Sequence, residues 1–226
     1  MEIVKDIAHL RQIIDNIKAE GKTIGFVPTM GALHKGHLSL LQQAKKGCDI
    51  TICSIFVNPT QFNDKKDLDN YPRTPESDFA LLESEHCDIV FFPNEKEIYP
   101  EGEIKKEFHF GRLGELLEGL KRPGHFNGVA LVVSKLFELV RPTKAYFGQK
   151  DYQQVMIVKE LVKQLNYPIE IISCPIIREA DGLAMSSRNA LLSQDCTLRD
   201  FGTLVLCLYW QFHSFQTYSS SGGRKI

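Results

Sequence analysis

The sequence predicts an α/β fold built on a doubly wound parallel sheet. Three observations predict it. Short apolar runs suited to buried strands alternate with amphipathic runs at helical spacing. The distinctive polar, glycine-bearing segments stand at the strand ends, where such sheets bind ligands. The composition, 43% hydrophobic and 24% charged over 226 residues, is that of a globular protein with a sizeable core.

The elements follow in order. MEIVKDIAHLRQIIDNIKAE repeats apolar residues at helical spacing, with Ile7, Leu10, Ile14 and Ile17 on one face, so a helix is expected there. Thr23 to Val27 reads as the first strand. The helix HLSLLQQAKKG follows, opening near Gly36 and ending at Gly47 after two lysines. DITICSIFV is a second buried strand, and NPTQFNDKKDLDNYPR a loop. TPESDFALLESEHC reads as a helix with Thr74 as N-cap, Pro75 at the first position and acids in the first turn. DIVFFP is a third strand. GVALVVSKLFELVRP reads as a helix ending at a proline, with β-branched residues that leave a strand reading open. KAYFG is a fourth strand, YQQVMIVKELVKQL a helix and IEIISCPII a fifth strand. Such alternation implies parallel pairing with right-handed crossovers.

Composition excludes several classes of function. A formal net charge of −1 gives no general attraction to nucleic acid or to a membrane. No run of eighteen apolar residues occurs, and the first residues lack an apolar signal region. The six cysteines form no CxxC pair, which argues against a zinc ribbon or a thioredoxin-like motif. Buried free thiols in a reducing, cytoplasmic compartment are expected instead. No G-x-x-x-x-G-K-[ST] is present and no GxGxxG follows the first strand, so neither a P-loop nor a dinucleotide fingerprint is supported.

The richest segment is PTMGALHKGHLSLL, Pro28 to Leu41. It places His34 and His37 around Gly36 at the mouth of a helix, with Gly31 earlier in the turn. A helix start carries unpaired N–H groups and partial positive charge, so it suits an anion, and two imidazoles add to that. Histidines three apart also share a helix face and could bind zinc. A zinc protease would need glutamate after the first histidine, where Lys35 stands. Three further loops, VNPTQFN, GQKDYQQ and READGLAMSSRN, also lie at strand ends and should converge on the same crevice.

With these loops in hand, the chain resembles the pantoate–β-alanine ligase family, within the H-x-G-H nucleotidyltransferase superfamily. The resemblance rests on PTMGALHKGH, SIFVNPTQFN, DLDNYPRTPESD, LEGLKRPGHFNGVALVVSKLF, AYFGQKDYQQ and READGLAMSSRN, and runs to about Ser193. It implies a Rossmann-like nucleotidyltransferase domain over residues 1–193. It implies ATP as co-substrate, assistance by Mg2+, and condensation of pantoate with β-alanine through a pantoyl-adenylate, releasing AMP and pyrophosphate. It also implies a cytoplasmic homodimer that needs neither nucleic acid nor membrane.

Residue by residue, the resemblance implies that His34, His37, Lys150 and Arg188 are catalytic, with His37 acting as acid and phosphate ligand. Preorganised positive groups around the phosphates are the expected dominant catalytic effect. ATP would be bound by Met30, Gly31, Ala32, Leu33, His34, Lys35, Gly36, His37, Gly148, Gln149, Lys150, Asp151, Ile177, Met185, Ser186, Ser187 and Arg188. Pantoate and β-alanine would meet Pro28, Met30, Asn58, Gln61, Arg122 and Gln154, residues that alone read as ordinary polar or backbone positions. Asp78 would be the magnesium ligand, although an acid at a helix start has a structural reason of its own.

The resemblance fades after LLSQ. The family continues with a small C-terminal domain that covers the site, and the segment DCTLRDFGTLVLCLYWQFHSFQTYSSSGGRKI lacks its helix–strand alternation. Residues 194–226 are therefore expected to be a truncated or aberrant remnant of that lid. A lid excludes water from an acyl adenylate, so weak turnover with retained ATP binding is expected, and LVLCLYWQF should promote association. Two other readings stay open: another H-x-G-H nucleotidyltransferase, and a nucleotide-binding remnant with impaired activity.

Overall fold

A computed structural model describes residues 1–101 and 106–191. The chain divides into two units, Met1–Ser187 and Arg188–Ile226. The expectations for residues 194–226, and for Cys196 and Cys207, lie outside the described residues.

Among the described residues the first unit holds six strands: β1 (Glu2–Val4), β2 (Ile24–Thr29), β3 (Ile50–Ile55), β4 (Ile89–Phe91), β5 (Lys144–Gly148) and β6 (Glu170–Cys174). All pair in parallel, in the order β1-β4-β3-β2-β5-β6. The longer helices are α1 (Ile7–Ala19), α2 (Lys35–Gly47), α3 (Pro75–Ser84), α4 (His125–Val140) and α5 (Tyr152–Gln164). From β2 the chain builds outward through β3 to β4, then returns to lay β5 on the other side of β2. The order therefore reverses between β2 and β5, where a doubly wound sheet opens a crevice.

Successive strand residues point to opposite faces, and two cores form. On one face Ile24, Phe26, Ile52, Phe91 and Phe147 pack with Leu10 and Ile14 of α1, Phe137 of α4 and Val158 of α5. On the other, Val27, Cys53, Ile55 and Val90 pack with Leu41 and Ala44 of α2 and Leu82 of α3. Phe26 meets Phe137 edge to face at 6.3 Å, and both are fully buried. Burying each such ring is worth about 1.5–3 kcal/mol. The expected doubly wound class is what forms. Cys53, Cys87 and Cys174 are buried free thiols, and Cys48 is half-buried. Burial pushes the Cys87 thiol up to about 11, so it stays protonated and inert. No described helix is long and apolar enough to cross a membrane.

Four sequence expectations about the elements change, the first being the loop NPTQFNDKKDLDNYPR, which holds a short helix, Lys65–Asp69, capped by Asp64. The N-terminal segment is not all helix, because Glu2–Val4 forms an edge strand against β4. Asp6 then caps α1, accepting the His9 N–H at 2.8 Å. Three residues are too few for a period of two to show. The strand expected to end at Val27 runs on through Pro28 to Thr29. Proline lacks an N–H, but β2 pairs with β5 only at Gly25 and Phe26, whereas its ladder with β3 reaches Thr29. Pro28 thus sits where β2 has become one-sided, a place proline tolerates. Lastly, α2 begins at Lys35 with His34 as N-cap, one turn position earlier than Gly36.

Candidate active site

The loops after β3, β2, β5 and β6 leave four adjacent strands at the same end of the sheet. Because the β2–β5 ladder stops at Phe26, the sheet parts between them on this side. Pro28 and Met30, expected to line the substrate, stand half-buried on the β2 side. The β5 side carries Gly148 and then a single helical turn, Gln149–Asp151. Lys150 and Asp151 are exposed there and form an ion pair at 3.1 Å.

The histidine loop makes a left-handed turn at Gly31 (φ 80°) and Ala32 (φ 47°), after which His34 caps α2. The two imidazoles build a reciprocal capping box in place of the usual hydroxyl and carboxylate. His34 Nδ1 accepts the Gly36 N–H at 3.1 Å, and His37 Nδ1 accepts the His34 N–H at 3.3 Å. The ring centroids are 4.1 Å apart. A Cβ on Gly36 would lie 2.8 Å from His34 Cε1 and 2.9 Å from Nδ1, so glycine is required for the ring to fold back. The Gly36 amide expected to await a phosphate is thus already engaged by the ring. With both Nδ1 atoms accepting, each neutral ring carries its proton on Nε2 and keeps that N–H as its donor.

Burial, then the neighbouring His34, then the Lys150 charge hold His37 down at about 3. Burial and Lys150 also lower His34, against the opposing pull of Glu179 and Asp151. Near neutral pH His37 in the ligand-free protein is therefore an uncharged hydrogen-bond donor. Between pH 6.5 and about 3 the unfolded chain takes up a proton that folded His37 refuses, so this group makes stability fall as pH falls. At pH 5 its share is about 2 kcal/mol. His37→Gln should remove roughly 4–8 °C of the melting-temperature drop between pH 7 and pH 5. Thermal melts of both proteins at the two pH values check this, and an unchanged drop would contradict it.

Asp78, expected as a metal ligand, is 1% exposed in the first turn of α3. Its Oδ2 accepts the Ala32 N–H at 2.9 Å, and its Oδ1 accepts the Leu33 N–H at 2.8 Å and the Thr74 hydroxyl at 3.2 Å. Its oxygens serve the histidine loop. Among the described residues no group of three or more His, Cys, Asp or Glu side chains could hold a metal ion.

On the β3 side, Asn58 and Gln61 are buried rather than surface residues. Asn58 Nδ2 donates to Gln61 Oε1 and to the Gly128 carbonyl, both at 3.1 Å. Gln61 Nε2 in turn donates to Met30 Sδ at 2.8 Å, joining the β3 loop to the histidine loop. Arg122 pairs with Glu118 at 2.6 Å and reaches the Gln61 carbonyl at 3.4 Å. Two supporting residues escaped the sequence reading. His125, 5% exposed, donates Nδ1–H to the Gln61 carbonyl at 2.8 Å, and Tyr99 donates its hydroxyl to Asn58 Oδ1 at 2.8 Å. His125 stood in the quoted RPGHFNG segment, whereas nothing in the sequence marked Tyr99.

The loop after β6 doubles back, with Arg178 bridging Ala184 and Met185 N–H donating to the Ile177 carbonyl at 3.0 Å. Its Ser187 hydroxyl, expected on a phosphate, donates to the Ala32 carbonyl at 2.9 Å. Ser186 is half-buried beside it, as is Gln154 in the first turn of α5. Gln149 and Lys35 are exposed. Arg188 opens the second unit, so its expected role stays outside this geometry. The histidine loop is thus tied to the β3 loop, to α3 and to the β6 loop, with Lys150 near enough for its charge to be felt at both imidazoles.

Comparison with known proteins agrees with this architecture. The sequence profile of Pantoate-beta-alanine ligase matches residues 2–200. The pantothenate synthetase of Porphyromonas gingivalis W83 is 55% identical over 195 residues, covering 86% of this chain and 69% of that protein. That of Caldicellulosiruptor saccharolyticus is 54% identical over the same shares. The crystal structure of pantothenate synthetase from Thermus thermophilus superposes with a TM-score of 0.81 at 46% identity, covering 86% of this chain and 69% of that one. Pantoate-beta-alanine ligase from Francisella tularensis, solved in complex with beta-gamma ATP and beta-alanine, gives 0.83 at 45% identity, covering 86% and 74%. A family profile spanning most of the sequence, relatives above half identity and a shared sheet reach one conclusion: this chain belongs to the pantoate-β-alanine ligase family.

Proposed function

We propose that this chain joins pantoate to β-alanine at the crevice between β2 and β5, at the expense of ATP. The pantoate carboxylate attacks the α-phosphorus, the bond to pyrophosphate breaks, and pantoyl-adenylate forms. The β-alanine amine then attacks the acyl carbon, and AMP leaves as the carbon–oxygen bond breaks. One observation carries the reading: the His34 and His37 rings, each with Nδ1 taken by a backbone N–H and Nε2 left to donate, lie close enough to Lys150 at the switch point of the sheet to feel its charge. Donors set in place before charge develops stabilise the transition state without reorganisation.

Lys150 and the histidines take the phosphates, Gln149, Gly148, Asp151 and Ile177 the nucleoside side, and Met185, Ser186 and Ser187 the second phosphate loop. A Cβ on Gly148 would meet nothing within 4 Å, which leaves room for a ligand at the end of β5. Gln61 and Gln154 take pantoate, with Gln61 also reaching β-alanine. Asn58 holds the Gln61 amide oxygen, and Gln61 Nε2, which donates to Met30 Sδ in the ligand-free protein, is the group that would turn to a carboxylate or hydroxyl. Magnesium enters with the phosphate oxygens and water rather than on a protein site. A cytoplasmic homodimer rests on the family resemblance alone.

Pyrophosphate exchange tests the reading. Labelled pyrophosphate should enter ATP only when pantoate is present, and AMP should accumulate only when β-alanine is added as well. Exchange without pantoate would instead favour another nucleotidyltransferase, and ATP binding without exchange a non-catalytic remnant.

A further inference from the structure

We propose that Asp78 is the positioning residue of the histidine loop, its buried carboxylate filling the amide concavity of the left-handed turn at Gly31 and Ala32 and so setting where His34 and His37 meet the nucleotide. Successive amides in a turn of this kind form a concavity that binds anions. Here the anion is internal. The two Asp78 oxygens take the Ala32 and Leu33 amides at 2.9 and 2.8 Å, and the Gly31 amide goes to the Thr29 hydroxyl at 3.2 Å. The carboxylate comes from α3, 45 residues along the chain, so the turn is pinned to a rigid helix rather than to its own neighbours. The same Ala32 residue is held at its carbonyl by Ser187. His34 begins two residues later, and its backbone N–H anchors the His37 ring. A change in the turn therefore passes directly into both imidazoles.

Nothing in this arrangement suits a metal. A magnesium ligand needs oxygen lone pairs open to an ion and its waters, whereas Asp78 is 1% exposed and already accepts three hydrogen bonds. Asparagine in its place would set an amide NH2 against a backbone N–H, so one loop amide loses its acceptor while the side-chain volume is kept.

The inference rests on the proposed ATP site, and the experiment separates the two. ATP affinity is measured by calorimetry for the wild-type chain and Asp78→Asn, with and without magnesium, alongside β-alanine affinity, melting temperature and the 15N titration of the His37 ring. Asp78→Asn is expected to fold, to bind ATP 10–100-fold more weakly by the same factor in both magnesium conditions, and to keep β-alanine affinity within twofold. Its His37 ring should titrate closer to 6.5. Unchanged ATP affinity in the folded variant overturns the proposal. So does a loss that added magnesium restores, which would make Asp78 a metal ligand, or an equal loss of ATP and β-alanine binding, which would make it merely structural. If Asp78→Asn does not fold, Thr74→Val removes only the hydroxyl on Oδ1 and should weaken ATP about threefold, with no change counting against the proposal. Wild-type chain that fails to bind ATP removes the ATP site itself, and this inference with it.

Discussion

His37→Ala should lower the rate of pantoate-dependent pyrophosphate exchange by about 10²–10³, the usual cost of removing one preorganised donor from a developing anion. The effect has two sources. The Nε2–H donor is lost, and so is the Nδ1 acceptor that holds the His34 amide. The second loss removes one half of a helix cap, worth about 1 kcal/mol, and so lowers the melting temperature by only a few degrees. Exchange kinetics at saturating ATP, measured beside a thermal melt, separate the two. A rate within tenfold of wild type would show that the imidazole does not face the reacting phosphate. The low pKa of His37 adds a pH signature: because kcat/KM reports groups of the free enzyme, His37 protonation contributes no change in it between pH 5 and 8.

Gly128→Ala is expected to destabilise the fold by about 2–3 kcal/mol, despite the roughly 1 kcal/mol that alanine gains over glycine within a helix. Gly128 lies in the first turns of α4, against the single helical turn Pro59–Gln61. A Cβ there would collide with the Thr60 carbonyl oxygen and lie 2.6 Å from its carbon and 2.8 Å from Gln61 Cα. These are backbone atoms, so no side-chain rotation relieves the clash. The helix and the Gln61 turn must separate, which breaks the Asn58 bond to the Gly128 carbonyl. The melting temperature should fall by roughly 5–10 °C, and KM for pantoate should rise more than KM for ATP. A variant melting within two degrees of wild type, or one with equal changes in both KM values, would count against a close-packed Gln61 turn.

Helices and strands were legible where local chemistry is strong. Thr74, Pro75 and the following acids marked the start of α3, and the alternation of apolar runs marked a parallel sheet. The three-residue β1 was not legible, because its pairing with β4 joins segments 87 residues apart and leaves no local period. Among site residues, the H-x-G-H spacing pointed to a charged-ligand loop, yet its use as a capping box emerged only from ring orientation. Asn58 read as a polar surface residue. Its burial comes from Tyr99, Thr60 and Gly128, which close over it from the β3 loop and from more distant parts of the chain.

By itself the sequence determined the order of the longer elements, the loops that carry chemistry and the family to which they belong, because periodicity, caps and motif spacing are local properties of a chain. The tertiary structure decided the rest. It put the reversal of strand order between β2 and β5, set the Asp78 oxygens against two amides of the histidine turn, and buried His37 so that its pKa falls. Each of these depends on burial and on partners distant in sequence, and desolvation and long-range hydrogen bonding exist only once the chain has packed.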